Sequence, residues 1–289
     1  MSWMARRGFV ALRDGGRLSY AVSPEADDTL PLLLLRPLGG SMTLWDELAS
    51  ALARHHRVIA FDPRGVGDSS AAPWRCSTRQ MAHDARELLD ALAVPRAHVF
   101  GLSLGGMVAS WLAIDQPARV AHLILASTLP RPGSVSRRLF HHLGPLTRSL
   151  AHFARADSDA EVDLVRAILS PQFRRTQPAR VRAIDAAVRQ TPTSRRGLGQ
   201  LALAAALHDA EARLGEIAAP TLLLTGALDI IAGAHSQSEL LRDLPNARII
   251  VIRDAGHDLS LEAPSTTAEH VSAFLGEARP RPHDTLPMA

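Results

Sequence analysis

Short, almost uninterrupted runs of apolar residues alternate with longer helical patterns along most of this chain. Two alternating runs within residues 9–22 flank Asp14-Gly15-Gly16 and predict a β-hairpin. The later runs have the continuity of strands buried on both faces, and they cover residues 32–35, 58–61, 98–100, 120–125, 221–224 and 248–252. Helical patterns separate them at residues 44–53, 78–92, 105–115 and 236–244. This alternation predicts an α/β fold with a mostly parallel central sheet flanked by helices.

One interval interrupts the alternation and predicts an insertion. From residue 130 to residue 214 no strand pattern is present, and the helical segments are separated by Pro145, Pro171, Pro178 and Pro192. We expect residues 1–129 and 215–276 to form the two parts of one α/β core, and residues 130–214 to form a helical lid over the carboxyl edge of the sheet. Residues 277–289 contain three prolines and predict a disordered tail.

The charged residues exclude several function classes. The chain has 32 basic side chains and no lysine, so every basic residue is arginine. Schiff-base chemistry and pyridoxal phosphate attachment are therefore excluded. The isoelectric point is about 10.2, but the net charge is only +3, so we expect no nucleic-acid partner. The 13 histidines lack the spacing of a metal-ligand set, so we expect no metal and no cofactor.

The lengths of the apolar stretches and the cysteine content indicate where in the cell the protein is expected. The longest apolar stretches, such as residues 32–35 and 201–207, are far shorter than the ~20 residues that span a bilayer. No apolar stretch of ~7 to 15 residues follows Arg6 and Arg7, so no secretory signal is expected. The single cysteine, Cys76, fits a reducing compartment. We expect a cytoplasmic protein that has no membrane partner and acts on a small molecule.

A glycine-rich hexapeptide, GLSLGG at residues 101–106, lies between an apolar run and a helical pattern. Gly-x-Ser-x-Gly in a strand–turn–helix context is typical of a nucleophilic serine on a tight turn. The flanking glycines avoid collisions at the turn, and the hydroxyl of Ser103 then lies near the positive end of the following helix. We predict Ser103 as a nucleophile and the Leu104 N–H as a donor to a developing oxyanion.

A nucleophilic serine needs a base within hydrogen-bond reach, and a third group has to orient that base. His257 lies in the run DAGHD at residues 254–258, directly after the last predicted strand and therefore at the same sheet edge as Ser103. Asp229 follows the penultimate strand, and the chain order Ser, Asp, His suits this arrangement. Asp258 is the rival acid, but a residue adjacent to His257 in an extended loop is expected to point away from its ring. We predict Ser103, His257 and Asp229 as a catalytic triad.

These motifs resemble the α/β-hydrolase superfamily over residues 9–274, and within it the 3-oxoadipate enol-lactonase-like and carboxylesterase-like serine hydrolases. The run FDPRGVGDS at residues 61–69 is similar to the strand-then-turn segment of the family, in which we interpret Asp62 and Arg64 as structural. The runs LSPQFR at residues 169–174 and IAAPT at residues 217–221 are similar to segments of the enol-lactonase-like group. The resemblance implies an α/β-hydrolase fold with an inserted helical lid.

The loop after the first parallel strand departs from the family pattern. Relatives carry a His-Gly or an Asn-Ser-Leu-Gly run there, whereas this chain has RPLGG at residues 36–40. The resemblance implies that the N–H of Leu38 completes the oxyanion hole, while Pro37 stiffens the entry to the loop. Arg36 is expected either to bind an acidic substrate bidentately or to pair with a core carboxylate. Residues 230–233 contain none of the prolines that relatives often place there, which leaves the shape of that loop open.

The triad and the resemblance together imply a serine hydrolase that cleaves an ester or a lactone, with an acidic or enol-lactone substrate as one option. Carbon–carbon bond hydrolases, acyltransferases and perhydrolases use the same three residue types, so they remain open. A ligand-binding receptor on this fold is a further alternative from a different class. Haloalkane dehalogenases and epoxide hydrolases place aspartate at the nucleophile position, so Ser103 argues against both.

Overall fold

The computed structural model describes residues 3–26, 30–71, 76–132, 160–191 and 193–277. The strands in this part of the chain are β1 (Arg6–Ala11), β2 (Arg17–Val22), β3 (Leu32–Leu35), β4 (Val58–Phe61), β5 (Ala97–Leu102), β6 (Val120–Ala126), β7 (Thr221–Gly226) and β8 (Ala247–Ile252). The α-helices are α1 (Asp46–Leu52), α2 (Thr78–Ala91), α3 (Leu104–Asp115), α4 (Ala160–Ile168), α5 (Pro171–Thr176), α6 (Pro178–Gln190), α7 (Arg195–Ala206), α8 (Ala234–Asp243), α9 (Leu259–Glu262) and α10 (Pro264–Glu277). Short 3-10 helices span Met42–Trp45, Pro117–Arg119 and Glu211–Glu216.

The eight strands form one sheet in the order β1-β2-β4-β3-β5-β6-β7-β8. β1 and β2 pair antiparallel as the predicted hairpin, and β2 pairs antiparallel with β4. All pairs from β4 to β8 are parallel, which requires a crossover connection between successive strands. The predicted α/β class and the mostly parallel sheet are confirmed. Strand β5, which precedes the predicted nucleophile Ser103, lies at the centre of the sheet, between β3 and β6.

Two apolar layers cover the two faces of this sheet. In β3, Leu33 and Leu35 pack into the layer formed with helices α2 and α3, whereas Leu32 and Leu34 pack into the layer formed with α1 and α10. All four leucines are at most 3% exposed. A strand covered on both faces gains from apolar residues at every position, which is why the run is continuous rather than alternating.

The last strand differs from its prediction. Residues 248–252 were expected to be buried on both faces, but β8 lies at the edge of the sheet and Val251 is 52% exposed. Only Ile252 in this strand is buried, at 7% exposure. The apolar run correctly predicted a strand, but a run of this kind does not distinguish a central strand from an edge strand that keeps β-branched residues on its open face.

The described part of the predicted lid consists of α4 to α7, which lie between β6 and β7. Pro171 and Pro178 occupy the first positions of α5 and α6, where the missing N–H of proline costs no hydrogen bond. Residues 133–159, which include Pro145, lie outside the described residues, as do Pro192 and the tail from residue 278. Within the described ranges, no helix combines the length and the apolar character of a membrane span.

Candidate active site

Ser103 lies between the last residue of β5 and the first residue of α3, with φ 53° and ψ −116°. This backbone conformation is strained for a residue that carries a side chain, and such strain often occurs at functional sites. The turn is held because the Ser103 N–H donates to the Ala126 carbonyl at 2.8 Å and Thr128 Oγ1 donates to the Ser103 carbonyl at 2.7 Å. At Gly105 a Cβ would lie 1.9 Å from the Leu35 carbonyl oxygen, so only glycine lets α3 approach β3 this closely.

His257 brings its ring to the serine. Its Nε2 lies 2.8 Å from Ser103 Oγ, although the two residues are 154 positions apart in the chain. The histidine is 4% exposed and follows β8 in a loop that packs on the end of β7. There the Leu228 N–H donates to the Ala255 carbonyl at 2.9 Å, and a Cβ at Gly226 would lie 2.2 Å from the same oxygen. The loop that carries the histidine is therefore joined directly to the loop that carries Asp229.

Asp229 holds the other nitrogen of the ring. Its two carboxylate oxygens lie 3.1 and 3.0 Å from His257 Nδ1. Oδ1 also accepts hydrogen bonds from the N–H groups of Ile231 at 2.8 Å and Ala232 at 3.0 Å. An ionised carboxylate can only accept, so Nδ1 carries the proton and Nε2 is free to accept from Ser103. The geometry thus sets the tautomer that a general base requires.

The electrostatics of the pair agree with this assignment. Burial disfavours the charge on Asp229, but the charge and hydrogen bond of His257 and the two amides outweigh burial and hold the pKa of Asp229 below its ordinary value. Burial also disfavours the imidazolium, but the charge and hydrogen bond of Asp229 outweigh it, so the pKa of His257 is raised. The charges of Asp258 and Glu262 add to this rise. Each partner therefore stabilises the charged form of the other.

Asp258, the rival acid, has a different set of partners. Its Oδ1 accepts the N–H of Ser260 at 3.1 Å and of Leu261 at 3.3 Å, so it caps the short helix α9. Its Oδ2 lies 3.8 Å from Nη2 of Arg36. The carboxylate is fully buried, yet it is Asp229 that hydrogen-bonds to His257.

Arg36, which was expected either to bind substrate or to pair with a core carboxylate, is 4% exposed. Its guanidinium carbon lies 4.6 Å from the ring centroid of Trp45, and burial lowers the pKa of the side chain although Asp258 and Asp62 oppose that shift. A guanidinium that is buried in this way and paired with a core carboxylate favours the structural alternative for Arg36 over substrate binding.

The two predicted oxyanion donors lie in adjacent parts of the fold. Leu104 is the first residue of α3, and Leu38 lies in the loop that leaves β3. β3 and β5 are neighbours, with Leu35 opposite Gly101, so this loop emerges beside the turn that carries Ser103. Among the described residues, neither the Leu38 nor the Leu104 N–H donates a hydrogen bond. Their role at an oxyanion stays a prediction.

Arg64 and Asp62, which were interpreted as structural, both bond to neighbouring parts of the core. Arg64 donates two hydrogen bonds to Asp84, at 2.7 and 2.9 Å, and pairs with Asp14 at 2.8 Å. Asp62 accepts the Met42 N–H at 2.6 Å, and burial raises its pKa to about 6. These bonds anchor the strand end and the loop beside the site. Among the described residues, no group of three His, Cys, Asp or Glu side chains could hold a metal ion.

Two carboxylates that bond to loops next to the predicted site were not identified from the sequence. Glu161 of α4 accepts the Gly40 N–H at 2.8 Å, and Glu262 of α9 accepts the Gly256 N–H at 3.0 Å. Glu262 follows His257 by five residues, but neither glutamate lies in a sequence motif that distinguishes it from the other glutamates of the chain. Their significance depends on contacts with distant parts of the chain.

The family comparison agrees with the geometry. Residues 31–264 match the family model described as the alpha/beta hydrolase fold. The chain is 34% identical over 262 residues to the "Putative carbamate hydrolase RutD" of Variovorax paradoxus, covering 89% of this chain and 96% of that protein. It is 25% identical over 264 residues to 3-oxoadipate enol-lactonase 1 of Acinetobacter baylyi, covering 91% of this chain and 94% of that protein.

Solved structures show the same similarity. A hydrolase from Pseudomonas aeruginosa superposes with a TM-score of 0.80 at 32% identity, over 94% of this chain and 99% of that one. The enol-lactonase from Burkholderia xenovorans also superposes with a TM-score of 0.80, at 24% identity, over 93% of this chain and all of that one. At that lower identity the similarity bears on the fold alone.

Proposed function

The chain belongs to the α/β-hydrolase family and is a hydrolase, and from that premise we propose that it is a serine enzyme that cleaves an ester or a lactone through an acyl-enzyme. The observation that carries the proposal is the line of hydrogen-bond distances from Ser103 Oγ through His257 to Asp229, at 2.8 and 3.0 Å. Serine at its ordinary pKa is a poor nucleophile, and this line supplies both a base for its proton and a charge for the resulting imidazolium.

In the proposed reaction, Ser103 Oγ attacks the carbonyl carbon while His257 Nε2 takes its proton. The negative charge that develops on the carbonyl oxygen is stabilised by the N–H groups of Leu38 and Leu104 and by the amino-terminal end of α3. The imidazolium then protonates the leaving alcohol. In the second half, His257 takes a proton from water, the hydroxide attacks the acyl carbon, and the acid leaves as Ser103 recovers its proton.

The test of this proposal is the loss of the nucleophile. Ser103→Ala should lower kcat for a p-nitrophenyl ester by several orders of magnitude, up to about 10⁶-fold, because the proposed acyl-enzyme forms on the Ser103 hydroxyl. Ser110→Ala is the matched control. Ser110 lies in α3, the helix that follows Ser103, and its buried hydroxyl donates to the Gly106 carbonyl outside the triad.

A covalent probe separates an enzyme from a binding protein on the same fold. A fluorophosphonate should label the wild-type chain and the Ser110→Ala variant at Ser103, and it should fail to label Ser103→Ala. Full esterase activity in Ser103→Ala, or a folded wild-type chain that takes no label at Ser103, would refute the proposal. Measuring the product with and without an alcohol acceptor then distinguishes hydrolysis from acyl transfer.

A carbamate is the second candidate substrate class, because the relative with 34% identity carries that name. A carbamate and an ester present the same carbonyl to Ser103, but the nitrogen lone pair makes the carbamate carbonyl less electrophilic. We expect p-nitrophenyl acetate to have the higher kcat/KM in a matched comparison with the corresponding N-methylcarbamate. The carbamate candidate is favoured instead when its kcat/KM equals or exceeds that of the ester.

A further inference from the structure

Glu161 connects the inserted helices to the loop that leaves β3. It lies in the first turn of α4, and its Oε1 accepts the Gly40 N–H at 2.8 Å and the Thr193 hydroxyl at 2.5 Å. Gly40 has φ 74°, and a Cβ there would lie 2.1 Å from Leu44. The loop is therefore tightly folded at this point, two residues beyond Leu38. Only Gly39 separates Gly40 from Leu38, so the hydrogen bond to Glu161 holds the chain close to the Leu38 peptide.

Glu262 connects the inserted helices to the loop that carries the histidine. It is 8% exposed, and one oxygen accepts the Gly256 N–H at 3.0 Å and the Ser170 hydroxyl at 2.5 Å. The other oxygen accepts the Ser170 N–H at 2.9 Å. Gly256 directly precedes His257, and Ser170 caps the amino terminus of α5. One buried carboxylate thus joins the peptide beside the general base to the start of an inserted helix.

Apolar packing joins the same parts of the molecule. Val162 and Val165 of α4 and Phe173 of α5 belong to one buried cluster with Leu44, from the segment after β3, and Leu261, from α9. A Cβ at Gly39 would lie 3.4 Å from Leu164 and 3.5 Å from Val165. The inserted helices are therefore packed on both loops beside Ser103, and the two glutamates add directional contacts to that packing.

We propose that Glu161 and Glu262 are positioning residues through which the inserted helices hold the Leu38 loop and the His257 loop in their catalytic arrangement. The inference rests on the proposed serine mechanism and adds to it a role for the insertion. Hydrogen bonds between a carboxylate and backbone N–H groups are charge-assisted and about twice as strong as neutral ones, so they fix the peptides that they hold. The insertion is then a structural part of the site and not merely its cover.

Replacement by glutamine tests the carboxylates with little change in volume. Glu262 receives donors on both oxygens, whereas the amide group of glutamine offers one acceptor and one donor, so at least one N–H or hydroxyl must lose its partner. We expect Glu161→Gln and Glu262→Gln each to lower kcat about ten- to hundredfold, the range that a displaced catalytic group produces. KM for a small neutral ester should change little. Glu216→Gln is the matched control, because Glu216 pairs with Arg213 at the protein surface.

The pH profile separates positioning from general destabilisation. The charged groups around His257 are Asp229 on the β7 side and Asp258 and Glu262 on α9, with Arg36 facing Asp258 from the β3 side. Loss of the Glu262 charge should shift the acid limb of kcat/KM to lower pH. Glu161 is absent from this set of groups, so Glu161→Gln should lower kcat with the acid limb unchanged.

The outcomes can be told apart. The inference is overturned if both glutamine variants fold, take the fluorophosphonate at the wild-type rate and keep the wild-type kcat and acid limb. Should either variant fail to fold, Ser170→Ala and Thr193→Val remove one hydroxyl partner from each glutamate, and an unchanged kcat in both overturns it as well. Failure of the serine mechanism shows instead as an active Ser103→Ala variant, whatever the glutamate variants do.

Discussion

The two sides of the active-site edge bury charged groups in different ways. On the histidine side, both ring nitrogens of His257 have partners within 3.1 Å, and Asp229 also accepts two backbone N–H groups. On the β3 side, Arg36 is equally buried, but its Nε and Nη1 have no hydrogen-bond partner among the described residues, and Asp258 lies 3.8 Å away.

Because of this difference, we expect substitutions on the two sides to affect different properties, catalysis on one side and folding stability on the other. A fully satisfied buried network is rigid, and a change that keeps the shape of a side chain and most of its hydrogen bonds, such as Asp to Asn, should affect proton transfer more than stability. Arg36 and Asp258 are two buried opposite charges, and removing one of them leaves the other buried without a counter-charge, which destabilises the folded state. We therefore expect variants on the histidine side to lose turnover and variants on the Arg36 side to lose stability.

The largest effect expected from this comparison is a loss of turnover in a variant on the histidine side. Asp229→Asn keeps the shape of the side chain but presents an amide to His257 Nδ1, which favours the wrong tautomer, so kcat should fall by about 10⁴-fold. The free energy of unfolding in urea should change much less than in the Arg36 variant. Steady-state kinetics together with urea unfolding measures both. An Asp229→Asn enzyme with near wild-type kcat contradicts the assignment of Asp229 as the orienting acid.

The next largest effect is a loss of folding stability in a variant on the Arg36 side. Arg36→Met leaves the buried carboxylate of Asp258 without a counter-charge, which should lower the free energy of unfolding by about 3 kcal/mol. Adding Asp258→Asn, which keeps an oxygen to cap α9, should recover most of that loss. The competing role for Arg36 predicts a different result. If it binds a substrate carboxylate, Arg36→Met raises KM for acidic esters alone and leaves the unfolding free energy unchanged.

The smallest effect is on the pH dependence of the wild-type enzyme. His257 must be neutral to act as a base, and its pKa is raised above the ordinary 6.5 by Asp229, against the effect of burial. Activity on a neutral ester should therefore fall as the pH drops through a value above 6.5. By the same sign, protonation of His257 stabilises the folded chain below pH 6.5, and this contribution declines as the pH rises through the folded pKa. If the acid limb of the kcat/KM profile has its midpoint at or below pH 6.5, that result contradicts the raised pKa of His257.

The regular parts of this molecule could be predicted from the sequence because their causes are local. β3 and β4 have the predicted bounds, since an apolar run covered on both faces ends where polar residues begin. α3 starts one residue earlier than its pattern indicated, at Leu104, because the turn at Ser103 leads directly into the helix. The prediction that β8 is buried on both faces was wrong, because the position of a strand at the sheet edge depends on the order of all the strands.

The contacts around the site are long-range, and this limited what the sequence could predict. Ser103, Asp229 and His257 were named because each follows a predicted strand, and parallel strands bring their carboxyl ends to one edge. Glu161 and Glu262 bond to residues 121 and 92 positions away, and no local pattern records such a partner. The environment of Arg36 depends in the same way on Asp258, which approaches it only in the folded chain.

The account depends most on Ser103 and His257 acting as one unit. The direct measurement is kcat for Ser103→Ala, for His257→Ala and for the double variant on the same ester, each corrected for the folded fraction. Residues that share one proton transfer are strongly non-additive, so the double variant should be about as slow as either single variant. A double variant slower by the product of the two single effects would contradict the account, because it would show that the alcohol and the imidazole act independently.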